Sequence, residues 1–155
     1  MRWMGVAAAM IVMVWMIAPA SAADLQWTDD NGTSASLADY RGKPLVVHFW
    51  ASWCPPCRKE MPELEAWVSA HPEVNFVPVT LDVNINDAIA FLKSKGIDFP
   101  VLQGSSKEVS GLGVRGLPAT VVIGAGGEVL RLEAGVIHWD DEAATGKILD
   151  ALDEG

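Results

Sequence analysis

The chain has 155 residues, 50% of them apolar and 20% charged, which is the make-up of one globular domain with a real core. Its formal net charge is −9, from 11 Lys and Arg against 20 Asp and Glu. No basic run offsets that balance. Nucleic acid is excluded as an expected partner, because binding it requires clustered cations that neutralise phosphates.

The first 23 residues read as a targeting segment, with Arg2 near the start, an apolar stretch from Val6 to Ile17, and then Ala18-Pro19-Ala20-Ser21-Ala22. Ala20 and Ala22 fit an A-x-A cleavage site. The apolar core is short for a spanning helix, yet Trp3 and Met4 lengthen it and Trp favours a membrane interface. Two alternatives follow: a cleaved signal peptide, or an uncleaved anchor with residues 3–18 as the tether. Either places residues 24–155, read as one domain, in an oxidising compartment such as the periplasm, soluble or held at the inner membrane. Loss of Arg2 with that segment leaves 10 cations against 20 acids, a net charge of −10.

Residues Leu25-Gln26-Trp27 and Thr33 to Leu37 flank Asp29-Asp30-Asn31-Gly32, and Asn-Gly between short apolar runs signals an N-terminal hairpin. Leu45 to Trp50 is a compact run of Val and aromatic residues, suited to a buried central strand. From Pro55 to Ala70 the spacing becomes helical, with Met61, Leu64, Trp67 and Val68 on the inner side. Val74 to Leu81 predicts a strand, and Asp87 to Lys95 a helix ended by Gly96. Phe99 to Leu102 is extended, and Ser106 to Leu112 suits one or two helical turns. Ala119 to Ile123 and Glu128 to Ala134 flank Gly124-Ala125-Gly126-Gly127 as a second hairpin would. Asp140 to Leu152 closes the chain as a helix. The pattern predicts an α/β fold whose mixed central sheet is flanked by helices on both faces.

Cys54 and Cys57, in Trp53-Cys54-Pro55-Pro56-Cys57, sit where the central strand hands over to a helix. At the cap, unpaired backbone N–H groups and the helix dipole favour a thiolate on Cys54, while Cys57 lies one turn inside. Cys54 then attacks or is attacked, and Cys57 resolves the mixed disulfide. A plain structural disulfide would gain little from so small a ring. A zinc site would need two more ligands, and His48, His71 and His138 lack metal-site spacing. No metal is expected, and no cofactor beyond the redox-active disulfide.

The run Val46-Val47-His48-Phe49-Trp50-Ala51-Ser52-Trp53-Cys54-Pro55-Pro56-Cys57-Arg58 resembles the active-site signature of the thioredoxin superfamily, in particular its exported TlpA/ResA/CcmG-type branch. Pro62 falls where that superfamily has a helix-kinking proline. Arg115-Gly116-Leu117-Pro118-Ala119-Thr120 resembles the segment with its cis-proline. The resemblance spans about residues 25 to 153. It implies a thioredoxin fold with an extra N-terminal β-hairpin, a cis Pro118 beside the cysteines, and Trp53, Leu117 and Pro118 as substrate contacts, Leu117 by strand-like addition.

Two positions stand apart from that pattern. The superfamily's buried acid is replaced by His48, which either accepts the proton of Cys57 or is a core histidine hydrogen-bonded to backbone. Asp82, at the end of the predicted strand Val74 to Leu81, is either a second proton-transfer group or a cap. Pro55 and Pro56 have no N–H to offer a thiolate, so Cys54 is less stabilised as an anion and the pair leans towards reduction.

The resemblance implies a protein-disulfide reductase for oxidised cysteines of client proteins, fed by a membrane thiol reductant. The client classes are cytochrome c haem-attachment cysteines and copper-site cysteines. The alternatives are a general disulfide oxidase or isomerase, and a non-catalytic or metal-transferring binding module.

Overall fold

The computed structural model describes residues 25–155, so the signal peptide or anchor expected over residues 1–23 lies outside the described residues. At its start, β1 (Gln26–Asp29) and β2 (Ser34–Ser36) form an antiparallel hairpin. The Asp29 carboxylate ties the turn by accepting from the N–H groups of Asn31 (2.9 Å) and Thr33 (2.7 Å). Gly32 supplies the positive φ of 81° that the turn requires.

Next comes β3 (Leu45–Trp50), buried at all six positions. It pairs parallel with β4 (Phe76–Thr80) and antiparallel with β6 (Ala119–Ile123). The short β5 (Leu102–Gln103) joins β4 to the N-terminal hairpin, and β7 (Val129–Ala134) closes the other edge against β6. The seven strands lie in the order β2-β1-β5-β4-β3-β6-β7, so the extra hairpin extends the central sheet instead of standing apart from it.

Alternation along β3 divides the core in two. Val46 and Trp50 face α1 (Pro55–Ala70), α2 (Ile85–Lys95) and α4 (Glu142–Asp153), meeting Met61, Leu64, Phe91 and Ile148. Val47 and Phe49 face the opposite side with Val77, Val79 and Val121. There Trp27, Leu37 and Val109 of α3 (Ser106–Gly111) cover them. The mixed sheet with helices on both faces is therefore present, with unequal cover.

Element ends differ from the sequence pattern for local reasons. A turn in which Val74 N–H donates to the His71 carbonyl (3.0 Å) delays β4 to Phe76. Pro100 has no N–H for a ladder, and the extended run narrows to Leu102–Gln103. Asn84 caps α2 two residues earlier than expected by accepting from Asn86 N–H (3.2 Å). Asp141 caps α4 by accepting from Ala143 N–H (2.8 Å). A 3-10 turn, Leu37–Tyr40, takes over where the strand expected from Thr33 to Leu37 would end. It is held by Asp39, which accepts from Ser36 N–H at 2.7 Å.

Met61 is fully buried between α1 and the sheet. Met61→Ala should lower unfolding free energy by roughly 2–5 kcal/mol, read from urea denaturation. A loss below about 1 kcal/mol would show that this part of the core repacks freely.

Candidate active site

The site grows from the junction of β3 and α1. Cys54 is the N-cap of α1, with extended backbone at φ −93° and ψ 106°, and Pro55 and Pro56 occupy the first two helical positions. Neither proline has an N–H, so the first helical amide able to reach Cys54 is that of Cys57. That amide donates to Cys54 Sγ at 3.3 Å. The two cysteines are joined as a disulfide, with their Cα atoms 5.3 Å apart. Cys57 is wholly buried, whereas Cys54 lines a groove.

This groove has a volume of about 660 Å³ and is mostly apolar. Trp53, Pro55 and Pro56 line it together with Cys54, as do Val109, Val114 and Leu117 from later in the chain. Trp53 is 64% exposed, an unusual state for a large aromatic side chain and one suited to contact with a partner. The Leu117–Pro118 peptide bond is cis. Leu117 reaches the groove, while Pro118 is buried behind it and lines a smaller hollow with Gly113 and Leu132. The β6 ladder begins at Ala119, leaving Leu117 beyond the paired strand end.

His48 projects from β3 on the α1 side. It is fully buried, with Nδ1 3.0 Å from Thr120 Oγ1 and Nε2 without a hydrogen-bond partner. Trp139 meets its ring edge-on at 6.1 Å and Phe76 stacks at 6.4 Å. Burial in this apolar cage pushes its pKa down to about 3. His48 is therefore a neutral imidazole near pH 7, and a weak proton acceptor.

Asp82 is also buried, but its carboxylate is occupied. It accepts from Ser52 N–H (2.8 Å), Ser52 Oγ–H (2.7 Å) and Thr80 Oγ–H (2.6 Å). Gln103 Nε2 holds the following chain by donating to the carbonyls of Asp82 (2.7 Å) and Val83 (3.0 Å). The effect is to pin the loop two residues before Cys54 to the end of β4. Asp82 thus positions the cysteine loop through Ser52.

Glu60 was not among the residues that the sequence pattern singled out. It lies one turn beyond Cys57 on the buried face of α1 and is 2% exposed. Its Oε1 accepts from Trp139 Nε1–H (2.6 Å) and Ile137 N–H (3.2 Å), while Oε2 is buried without a partner. Burial raises its pKa to about 7, outweighing the two hydrogen bonds, which favour the anion. The available signal was the i, i+3 spacing from Cys57 on the same buried stripe as Met61 and Leu64.

Among the described residues, one other group has ligand chemistry: Glu63, His138 and Asp140, whose ligand atoms lie within 4.8 Å of one another. All three are exposed, as on an ordinary solvated acidic face. No described helix is long and apolar enough to cross a membrane.

Residues 18–131 match the family model described as AhpC/TSA family. The chain is 30% identical over 112 residues to the thiol-disulfide oxidoreductase ResA of Bacillus subtilis, covering 70% of this chain and 63% of that protein. It is 29% identical over 110 residues to ResA of Halalkalibacterium halodurans, covering 69% of this chain and 62% of the relative. The chain thus spans less than two thirds of the length of these two relatives. Among solved structures, it superposes on a thiol:disulfide interchange protein DsbE from Chlorobium tepidum with a TM-score of 0.73 and 31% identity, covering 85% and 95% of the two chains. For MTB DsbF, the TM-score is 0.72 at 26% identity, with 86% and 98% covered.

Glu60 sets a distinct pH signature. Its folded pKa, about 7, lies above the ordinary 4.5, so the folded state holds the extra proton and loses stability as pH rises from about 4.5 to about 7. The shift corresponds to roughly 3 kcal/mol. His48 acts oppositely, losing stability as pH falls from 6.5 towards 3, and cancels when variant and parent are compared. Glu60→Gln should therefore gain roughly 3 kcal/mol relative to the parent between about pH 4.5 and pH 8, measured as urea midpoints. A parent–variant difference that does not change with pH would refute the assignment.

Proposed function

Because this chain belongs to the AhpC/TSA family and is of the thioredoxin-superfamily ResA and DsbE type, we propose that it is a thiol–disulfide oxidoreductase that reduces disulfides of client proteins. The observation that carries this reading is the pairing of unlike cysteines: Cys54 on an apolar groove at a helix cap, bonded to a wholly buried Cys57.

In the reduced enzyme, the Cys54 thiolate attacks one sulfur of the client disulfide. The client S–S bond breaks and its other sulfur leaves as a thiolate, which takes up a proton. Cys57 loses its proton and attacks Cys54 Sγ, breaking the mixed disulfide and releasing the second client thiol. Two electrons pass to the client, and the Cys54–Cys57 disulfide is formed. A dithiol reductant at the membrane restores the pair.

Glu60 takes the proton of Cys57 in this reading. It follows Cys57 by one turn on the same helix face, and a carboxyl that titrates near 7 is suited to proton exchange at neutral pH. Neutral His48 supplies the apolar, dehydrated surroundings. Asp82 holds the loop, and Trp53 and Leu117 contact the client, with Leu117 adding its backbone beyond the β6 ladder.

The reductive direction is supported by Pro55 and Pro56, which leave Cys54 Sγ with the single amide donor from Cys57. The client classes are apocytochrome c haem-attachment cysteines or copper-site cysteines of oxidase assembly factors. The apolar N-terminal residues, ending in an A-x-A pattern, support an extracytoplasmic location.

The parent should reduce insulin disulfides with a dithiol donor, and Cys54→Ser should abolish that activity. Cys57→Ser should retain clients as mixed disulfides on Cys54, visible as non-reducing gel adducts whose masses name the client. Insulin reduction undiminished in Cys54→Ser would overturn the reading.

A further inference from the structure

A second hollow of about 280 Å³, lined by Pro55, Arg58, Lys59 and Lys95, adjoins the apolar groove at Pro55. The two hollows thus meet at the N-terminal end of α1, next to Cys54. All three charges on this notch are positive, in a chain of net charge −9. Among the described residues the ion pair is Arg131–Glu133, and the notch cations have no carboxylate partner. The Arg58 guanidinium is instead steadied over the Phe91 ring, 5.4 Å from its centroid.

Helix stability does not account for this arrangement. The N-terminal end of a helix is its positive end, where Asp and Glu are favoured and cations opposed. Here the first turn of α1 has no acid, and Arg58 and Lys59 follow it directly. Lys95 does suit the C-terminal turn of α2, but it arrives beside the wrong end of α1. Surface acids beyond about 10 Å are largely screened at physiological salt, so at this spot the local cations outweigh the net charge of the chain.

We propose that the Arg58–Lys59–Lys95 notch is a subsite for a carboxylate of the client. The client then straddles Pro55, with apolar residues in the Trp53–Leu117 groove and an acidic residue in the notch. This specificity rests on the reductase reading above. It assigns to the enzyme a preference for disulfides with an acidic neighbour, through attraction that speeds encounter and holds register.

The test uses the reduced full chain and two synthetic disulfide-bonded peptides, identical except for Glu or Gln two residues from the cysteine. Stopped-flow Trp fluorescence gives the second-order oxidation rate with each. At low salt the Glu peptide should react about fivefold faster than the Gln peptide, and the ratio should approach 1 in about 1 M salt. In Lys59→Glu/Lys95→Glu the ratio should fall to 1 or below. Arg41→Glu/Lys147→Glu, the same change in net charge at exposed sites elsewhere, should keep the parental ratio. Any general effect on the thiolate cancels in the ratio. A parental ratio of 1, or equal loss in both double variants, overturns the subsite. Failure of the parent to react with either peptide overturns the reductase reading itself.

Discussion

Everything at the reactive end of this molecule depends on the burial of β3. All six of its residues are removed from water, and its two edges are taken by β4 in parallel and β6 antiparallel. With period-two alternation, a slip of one residue would exchange Val46 and Trp50 for Val47 and Phe49 across the sheet, so the register is held by both cores at once. That register determines where the strand stops, at Trp50. Four residues later Cys54 caps α1, and Leu81 N–H donates to the Trp50 carbonyl (2.9 Å), bringing the end of β4 and Asp82 alongside. The parallel and antiparallel neighbours then converge on one point: Asp82 grips Ser52 from one side, and the Leu117–Pro118 segment enters from the other.

What was legible in the sequence is what local pattern encodes. The apolar run at Leu45–Trp50, the helical spacing after Pro55 and the Gly-rich turn at residues 124–127 each state their element without reference to the rest of the chain. The joined cysteine pair and the cis Leu117–Pro118 bond were legible because both attach to short motifs. Partnership across the fold was not. That Asp82 serves Ser52, thirty residues away, depends on the parallel pairing of β3 with β4. That Glu60 is buried depends on the loop before α4 folding Ile137 and Trp139 over it, seventy-seven and seventy-nine residues on. A Glu within a helix that carries three Glu, an Arg and a Lys looks solvated until a distant indole arrives to cover it.

Three buried polar side chains, Asp82, His48 and Glu60, show how one dry interior produces different chemistry. Asp82 has three donors on its carboxyl group, two from Ser52 and one from Thr80, and acts as a structural clamp. His48 has one hydrogen-bond partner, Thr120 Oγ1, and no counter-ion, so the interior makes its cation too costly and it stays neutral. Glu60 is intermediate. Two donors reach Oε1, none reaches Oε2, and burial brings charged and uncharged forms close to balance at neutral pH. A group in balance is one that can hand a proton back and forth, and of the two side chains on the α1 side of the sheet Glu60 meets that condition and His48 does not.

Cys54 is governed by a division between short-range donors and long-range field. Two prolines remove the N–H groups that would otherwise bond a thiolate at a helix cap, leaving one amide, that of its own partner Cys57. The cations Arg58, Lys59 and Lys95 and the α1 dipole add a weaker, screened positive potential from outside hydrogen-bonding range. The two sources differ in kind. A hydrogen bond is fixed in the fold and acts in every state, whereas the field of exposed side chains is weakened by salt and by any carboxylate that approaches. Stabilisation of the Cys54 thiolate is thereby shared with the exposed side chains at the start of α1, instead of being locked wholly into the helix backbone.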